Sequence, residues 1–291
     1  MTQNDNTNCS GGSVFKFVSG VSAVEHLLCG RLKFTRIRDL NDPSELLPTV
    51  DKQELKESLN ALRQRGHSQE DIVALRQAEK LMSLLSPKEV VISAPSDTIQ
   101  ADNILQYHIY DNIEYMIKKI GITAENFRNK IGLFCASRTY DCLPMWAHYS
   151  NNAKGYVVEF AGLADAFPKD DTGLIGELLP VTYDRHISGV TFDPQSYKSI
   201  FLAKYPDWSY ERERRIIQPL NLCETTTLPD RSEIYTRSIE KSRVRSLIFG
   251  WHSPNCEKEH LASFVNSINP TVKCYTANVD MGSVVLSDLN R

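Results

Sequence analysis

Short apolar or alternating runs, each too brief for an ordinary helix, recur along the chain. They are VFKFV (14–18), RLKFT (31–35), GLFCAS (132–137), GYVVEF (155–160), LLPVTY (178–183), ERRII (213–217), SLIFG (246–250) and VKCYTANV (272–279). Runs of this length, rich in Val, Ile, Phe and Tyr, read as strands. A strand leaves its backbone donors and acceptors unpaired along both edges, so these segments must find one another in a sheet. Between the first two, SGVSAVEHLLCG spaces Val21, Val24, Leu27 and Leu28 helically and stops at Gly30, a residue suited to ending a helix. Further helices are expected over 195–204 and 255–268. The expected fold class is α+β, with a mixed or antiparallel β core.

One long stretch breaks the strand pattern. Residues 51–86 are highly charged and carry Leu55, Leu59 and Leu62 on one stripe. Ser68 and Asp71 frame a capping box for a second helix through Ile72, Leu75 and Leu81. Residues 101–120 repeat the helical spacing with Ile104, Ile109, Ile113, Ile117 and Ile120. The expectation is a disordered N-terminus over 1–12, then a single domain over 13–291 with a helical insert at about 46–127. LNDPSE at the start of the insert reads as a turn, with Asn41 and Asp42 capping backbone groups.

Formal charge of −3 and a pI near 6.2 give no global pull toward nucleic acid or anionic membrane, although Arg212–Arg215 and Arg237–Arg245 are locally basic. No apolar run reaches the roughly 18–20 residues of a membrane span, and the N-terminus lacks the basic start and apolar stretch of a secretion signal. The seven cysteines are scattered without a C-x-x-C, so a cytoplasmic location with reduced thiols and no membrane association is expected. Phosphate-binding, dinucleotide-binding, hydrolase-elbow and H-E-x-x-H motifs are absent. His252, Cys256 and His260 are each four residues apart, but Pro254 interrupts a common helix, and no metal site is expected.

WSYERERRII (208–217) raises the main chemical question. In a strand, Glu211 and Glu213 point to the same face and reach one cleft. On a helix they diverge, and Glu211 pairs instead with Arg214 or Arg215 as a surface feature contributing a few tenths of a kcal/mol. MWAHYS (145–150) gathers Trp146, His148 and Tyr149 between two apolar runs; Trp208 reads as a packing anchor.

These stretches together resemble a widespread bacterial family of unknown function. The matching segments are F-K-F at the first strand, LNDPSE at 40–45, MWAHYS followed by Gly155, and WSYERERR with Lys204 upstream. The family forms are F-N-D-P-x-E, M-W-x-H-Y and W-x-x-E-x-E-x-R, with Leu40 standing where Phe is usual. The likeness runs from Val14 to the end of the chain, apart from the insert.

The order of elements is also similar, more distantly, to the ADP-ribosyltransferase superfamily and its split sheet. That resemblance implies NAD as substrate, with Ser137 matching the serine of the middle strand, Glu213 the catalytic glutamate and Glu211 the first of the pair. Tyr149 falls near the tyrosine that stacks on nicotinamide. Lys16 stands where the superfamily has Arg or His. Cleaving the nicotinamide–ribose bond builds oxocarbenium character on the ribose, and a carboxylate on the 2-hydroxyl strengthens its hold as that charge develops. Glu213 is assigned that role. Glu211 is assigned to orient or deprotonate the acceptor. Trp146, His148 and Tyr149 are assigned to the nicotinamide end, and Lys16, Arg36 or Arg215 to the pyrophosphate.

The resemblance implies transfer of ADP-ribose to a macromolecule, protein or nucleic acid, or simple NAD hydrolysis. The setting it implies is a bacterial toxin or anti-phage effector with a neutralising partner. Two alternatives stand beside it. One is a nucleotide- or RNA-binding module using Lys16, Arg212, Arg214 and His148 without turnover. The other is a metal-assisted nuclease using Asp42, Glu45, Glu211 and Glu213.

Overall fold

The structure is a computed structural model and describes residues 12–42, 53, 57, 64, 125–171, 173–184 and 201–289. Residues 1–11 of the N-terminal segment expected to be disordered, Glu45 and nearly all of the expected insert lie outside these residues. Positions 53, 57 and 64, within the first expected insert helix, are helical, as are residues 125–130.

In chain order the elements are β1 (Val14–Val18), α1 (Val21–Leu28), β2 (Arg31–Arg36), β3 (Ile131–Ser137), α2 (Leu143–Tyr149) and β4 (Tyr156–Phe160). Then follow β5 (Leu178–Pro180), β6 (Thr182–Tyr183), β7 (Ala203–Lys204), β8 (Glu213–Pro219), β9 (Glu224–Thr227) and β10 (Glu233–Ser238). The chain closes with β11 (Val244–Phe249), α3 (Asn255–Ile268), β12 (Lys273–Asp280) and β13 (Ser283–Asp288). The expected α+β class with a mixed, largely antiparallel sheet is what forms. Two expectations need correction. The run 178–183 is not one strand: β5 pairs with β8, while β6 turns away to pair with β7. Residues 201–202 are helical, but the helix expected to reach 204 gives way there to β7, and 195–200 lie outside the described residues.

Eleven strands form one sheet in the order β13-β12-β11-β4-β1-β3-β2-β10-β9, with β8 on the other edge of β3 and β5 beyond it. β3 is the pivot. β8 follows it through the whole register from Ile131↔Pro219 to Ser137↔Glu213. On its opposite edge β1 touches it only at Phe15↔Ser137 and β2 only at Thr35↔Leu133 and Arg36↔Gly132. The sheet therefore opens between β1 and β2 alongside the middle of β3.

Alternation sorts the core onto the two faces. Phe134, Ala136 and Ile216 join Val24, Leu28, Leu261 and Val265 of α1 and α3 under one face. On the other, Leu133 and Ile217 belong to one cluster, and Phe17, Val157 and Ile248 pack with Met145 and Trp146 of α2 in a second. The opening in the sheet lies between these last two clusters.

The chain after α2 is held in place by three successive left-handed residues, Asn151, Asn152 and Ala153, at φ 50, 53 and 60°. Such a run costs roughly 1–2 kcal/mol per residue. It persists because its backbone is tied on every side: Ala153 N–H donates to Trp146 O at 3.0 Å, and His252 N–H donates to Ala153 O at 3.0 Å. Gly250 permits the approach, since a Cβ there would lie 2.1 Å from Ala153 O. Tyr149, just before this turn, is fixed at the sheet opening as a result.

Candidate active site at the opening of the sheet

A cavity of ≈210 Å³ occupies the opening. Phe15, Lys16 and Phe17 of β1, Cys135 and Ser137 of β3, Tyr149 of α2, Asn41 and Asp42 of the LNDPSE turn, and Lys204, Glu211 and Glu213 all line it. Sites for whole drug-sized ligands begin at about 300 Å³, so this one suits a ring and its sugar rather than an entire dinucleotide.

Lys16 marks where β1 leaves β3. Its ammonium donates to the Cys135 carbonyl at 2.7 Å, across the point where the β1–β3 pairing stops. Burial pulls the Lys16 ammonium below its ordinary value.

The two glutamates do not share one extended segment. Pro206–Glu211 is a 3₁₀ turn, Arg212 is left-handed at φ 43°, and only from Glu213 is the chain a strand. The expectation of two acids on one strand face is therefore wrong in its geometry. Their convergence on one cleft nevertheless holds, because the left-handed residue reverses the chain and both side chains line the cavity. Sequence offers no cue for this, since arginine is not a residue that advertises positive φ.

Between them sits Lys204, which the sequence marked only as lying upstream. Its Nζ is 2.6 Å from Glu211 Oε2 and 3.4 Å from Glu213 Oε2, with all three side chains at 7% exposure or less. No short-motif spacing joins Lys204 to the glutamates; β7 brings it there. The Tyr149 hydroxyl donates to the other oxygen of Glu211. Tyr183 contributes as well: its hydroxyl accepts the Glu213 amide at 2.8 Å.

Arg215 lies two residues along β8 from Glu213 on the same face and grips it with two nitrogens, Nε to Oε1 at 2.8 Å and Nη2 to Oε2 at 2.9 Å. Burial would push the Glu213 carboxyl up. The Arg215 guanidinium and Lys204 ammonium outweigh it and hold that carboxyl well below its ordinary range. Glu211 goes the other way. Burial raises it, and Lys204 and Tyr149 only partly compensate. For Tyr149, burial first and the Glu211 carboxylate second push the phenol above its usual value.

Four further assignments are corrected by position. Trp146 is fully buried, donates Nε1–H to Tyr140 O at 2.7 Å and packs edge-on to Phe17, so it reaches no ligand. Arg36 is not among the lining residues; it pairs with Asp39, which is, at 2.7 Å and lies over the Tyr235 ring. Arg215 is 1% exposed and spends its guanidinium on Glu213 and the Phe201 carbonyl, so it is no pyrophosphate ligand. His148 is exposed, 3.5 Å from the Tyr210 hydroxyl, and is not part of the lining. Ser137 is in place, its Oγ accepting Thr139 N–H at 3.1 Å.

Among the described residues no group of three His, Cys, Asp or Glu side chains is placed to hold a metal ion, and no helix is long and apolar enough to cross a membrane. Neither a curated protein nor a solved structure matches the chain. One family model does, over the stretch from α2 into β8 that supplies Tyr149, Lys204, Glu211 and Glu213. Over residues 145–216 the chain is similar to the family described as Protein of unknown function (DUF2971).

Proposed function

We propose that the cavity holds the nicotinamide–ribose end of NAD and cleaves the bond between the two, passing ADP-ribose to an acceptor or to water. One observation carries this reading. Phe15, Ser137 and Glu213 occupy a single row across β1, β3 and β8 at the sheet opening, and Lys16, Tyr149 and Glu211 converge on the same space. That row supports the likeness to the split sheet of ADP-ribosyltransferases.

The chemistry follows from the electrostatics. As the glycosidic bond breaks, nicotinamide leaves with the electron pair and positive charge grows on the ribose. Glu213, ionised and held rigid by Arg215, is preorganised to stabilise that charge through the 2-hydroxyl. Arg215 is thus a positioning residue for Glu213. Glu211 carries a raised proton affinity and takes the proton of the attacking group. The half-buried ring of Tyr149 forms the wall for nicotinamide, and Lys16 meets a ribose hydroxyl or phosphate.

A second reading, nucleotide binding without turnover, draws on one observation: both Glu213 oxygens are already engaged by Arg215, as in a purely structural pair. Nicotinamide release separates the two. Purified protein incubated with NAD should liberate nicotinamide, and Glu211→Gln should slow this by about 10²-fold or more. Saturable NAD binding with no release would favour the module.

A further inference from the structure

Beside the cavity, on the side of Glu211, the surface changes character. The 3₁₀ turn that ends in Glu211 carries Trp208 and Tyr210, half-buried rings 6.1 Å apart, and Tyr210 continues to the exposed His148 ring at 6.0 Å. Two exposed arginines flank this strip, Arg138 directly after Ser137 and Arg212 directly after Glu211. They are joined through the backbone by Arg138 N–H donating to Arg212 O at 3.0 Å. Among the described residues no ion pair or side-chain hydrogen bond engages either guanidinium. Asp141 in the same region is bonded by the Thr139 hydroxyl.

We propose that this strip is the acceptor site and that its occupant is a single-stranded nucleic acid, with unpaired bases on Trp208, Tyr210 and His148 and phosphates on Arg138 and Arg212. The inference rests on the reading of the cavity as the NAD site. Flat rings interleaved with uncompensated cations match what sequence-tolerant binding of single strands requires, because every base has a face to stack and every linkage a charge. A net charge of −3 makes such binding local to this strip. A duplex hides its base faces and gains only the phosphate contacts. A protein acceptor would leave two desolvated guanidinia without assured partners. In the transfer step, the ribose–nicotinamide bond breaks with its electron pair leaving on nicotinamide. A base nitrogen or oxygen bonds the ribose carbon, and its proton passes to Glu211.

The test uses fluorescence anisotropy of labelled oligothymidylate, oligouridylate and a short duplex with the full chain, without NAD. Single strands should bind saturably and about tenfold tighter than the duplex. Two phosphate contacts give a slope of log affinity against log salt near about −1.4, which Arg212→Ala lowers by about 0.7. Trp208→Ala should weaken binding by about tenfold. Because Trp208 also packs against Lys204 at 4.7 Å, His148→Ala, at an exposed position, provides a second variant that leaves the fold intact. The two single-strand arms separate DNA from RNA. Absence of single-strand binding, equal binding of the duplex, or silence of Arg212→Ala, Trp208→Ala and His148→Ala together overturns the proposal and leaves a protein as the acceptor. Nicotinamide release, measured without nucleic acid, fails or succeeds independently of these outcomes.

Discussion

Lys204 lies 2.6 Å from Glu211 in a setting where both side chains are almost wholly withdrawn from water, at 7% and 4% exposure. A buried ion pair is weak evidence for net stability, but removing one partner strands the other charge. Lys204→Met should therefore cost about 3–5 kcal/mol in denaturant unfolding. Glu211→Gln in the same chain should recover at least about 1 kcal/mol of it, a coupling that a double-mutant cycle reads directly. Additive losses would mean that the pair does not act as a unit.

The two glutamates shift in opposite directions and so leave opposite marks on stability against pH. Glu211 has a folded-state value above the ordinary 4.5, so its favourable contribution is complete below that value and is lost as pH rises through the folded pKa. Glu213 is depressed. Its contribution is present above 4.5 and is lost as pH falls toward the folded pKa. Melting temperatures of Glu211→Gln relative to the unsubstituted protein should improve on going from acid to neutral pH. Those of Glu213→Gln should worsen over the acid limb. Parallel profiles for the two variants would contradict this assignment of charge.

Trp146 should behave as core. Trp146→Ala is expected to cost about 3–5 kcal/mol. Trp146→Phe, which keeps the ring but loses the bond to Tyr140 O, should cost about 1 kcal/mol and leave NAD affinity unchanged. A selective loss of NAD binding in Trp146→Phe, with the melting point preserved, would return this residue to the site.

How much of this could be read from residues alone differs from element to element. β1, β2, β3, β4 and β8 were legible because their length and alternation are local properties. LLPVTY was not, because its division into β5 and β6 is decided by which distant strand each half meets. Glu211 and Glu213 were recognisable as a pair, but the left-handed Arg212 between them was not, since that conformation is imposed by tertiary contacts. Lys204 escaped for a related reason: a buried cation has no local pattern when its partners lie seven and nine residues away on other elements. Trp146 looked like a ligand residue because of its neighbours Tyr149 and His148, although its ring is fully buried against Phe17 and bonded to Tyr140 O.

The hairpin of β12 and β13 carries a correctable strain. Met281 at its tip is fully exposed and left-handed at φ 47°, next to Gly282 at φ 81°. Asn tolerates that conformation better than Met and suits a tight turn before Gly. Met281→Asn should raise unfolding free energy by up to about 1 kcal/mol, read as a shift of the denaturation midpoint at constant slope. A loss of stability would mean that Met281 makes a contact which its full exposure denies.

A crystal structure with a non-cleavable carbocyclic NAD analogue tests the assignment of the cavity to NAD. The nicotinamide ring should lie against Tyr149 in the sheet opening, with the ribose 2-hydroxyl within hydrogen-bonding distance of the Glu213 carboxylate. An analogue seated elsewhere, or a nicotinamide end pointing away from β8 with Glu213 still closed on Arg215 alone, would contradict it.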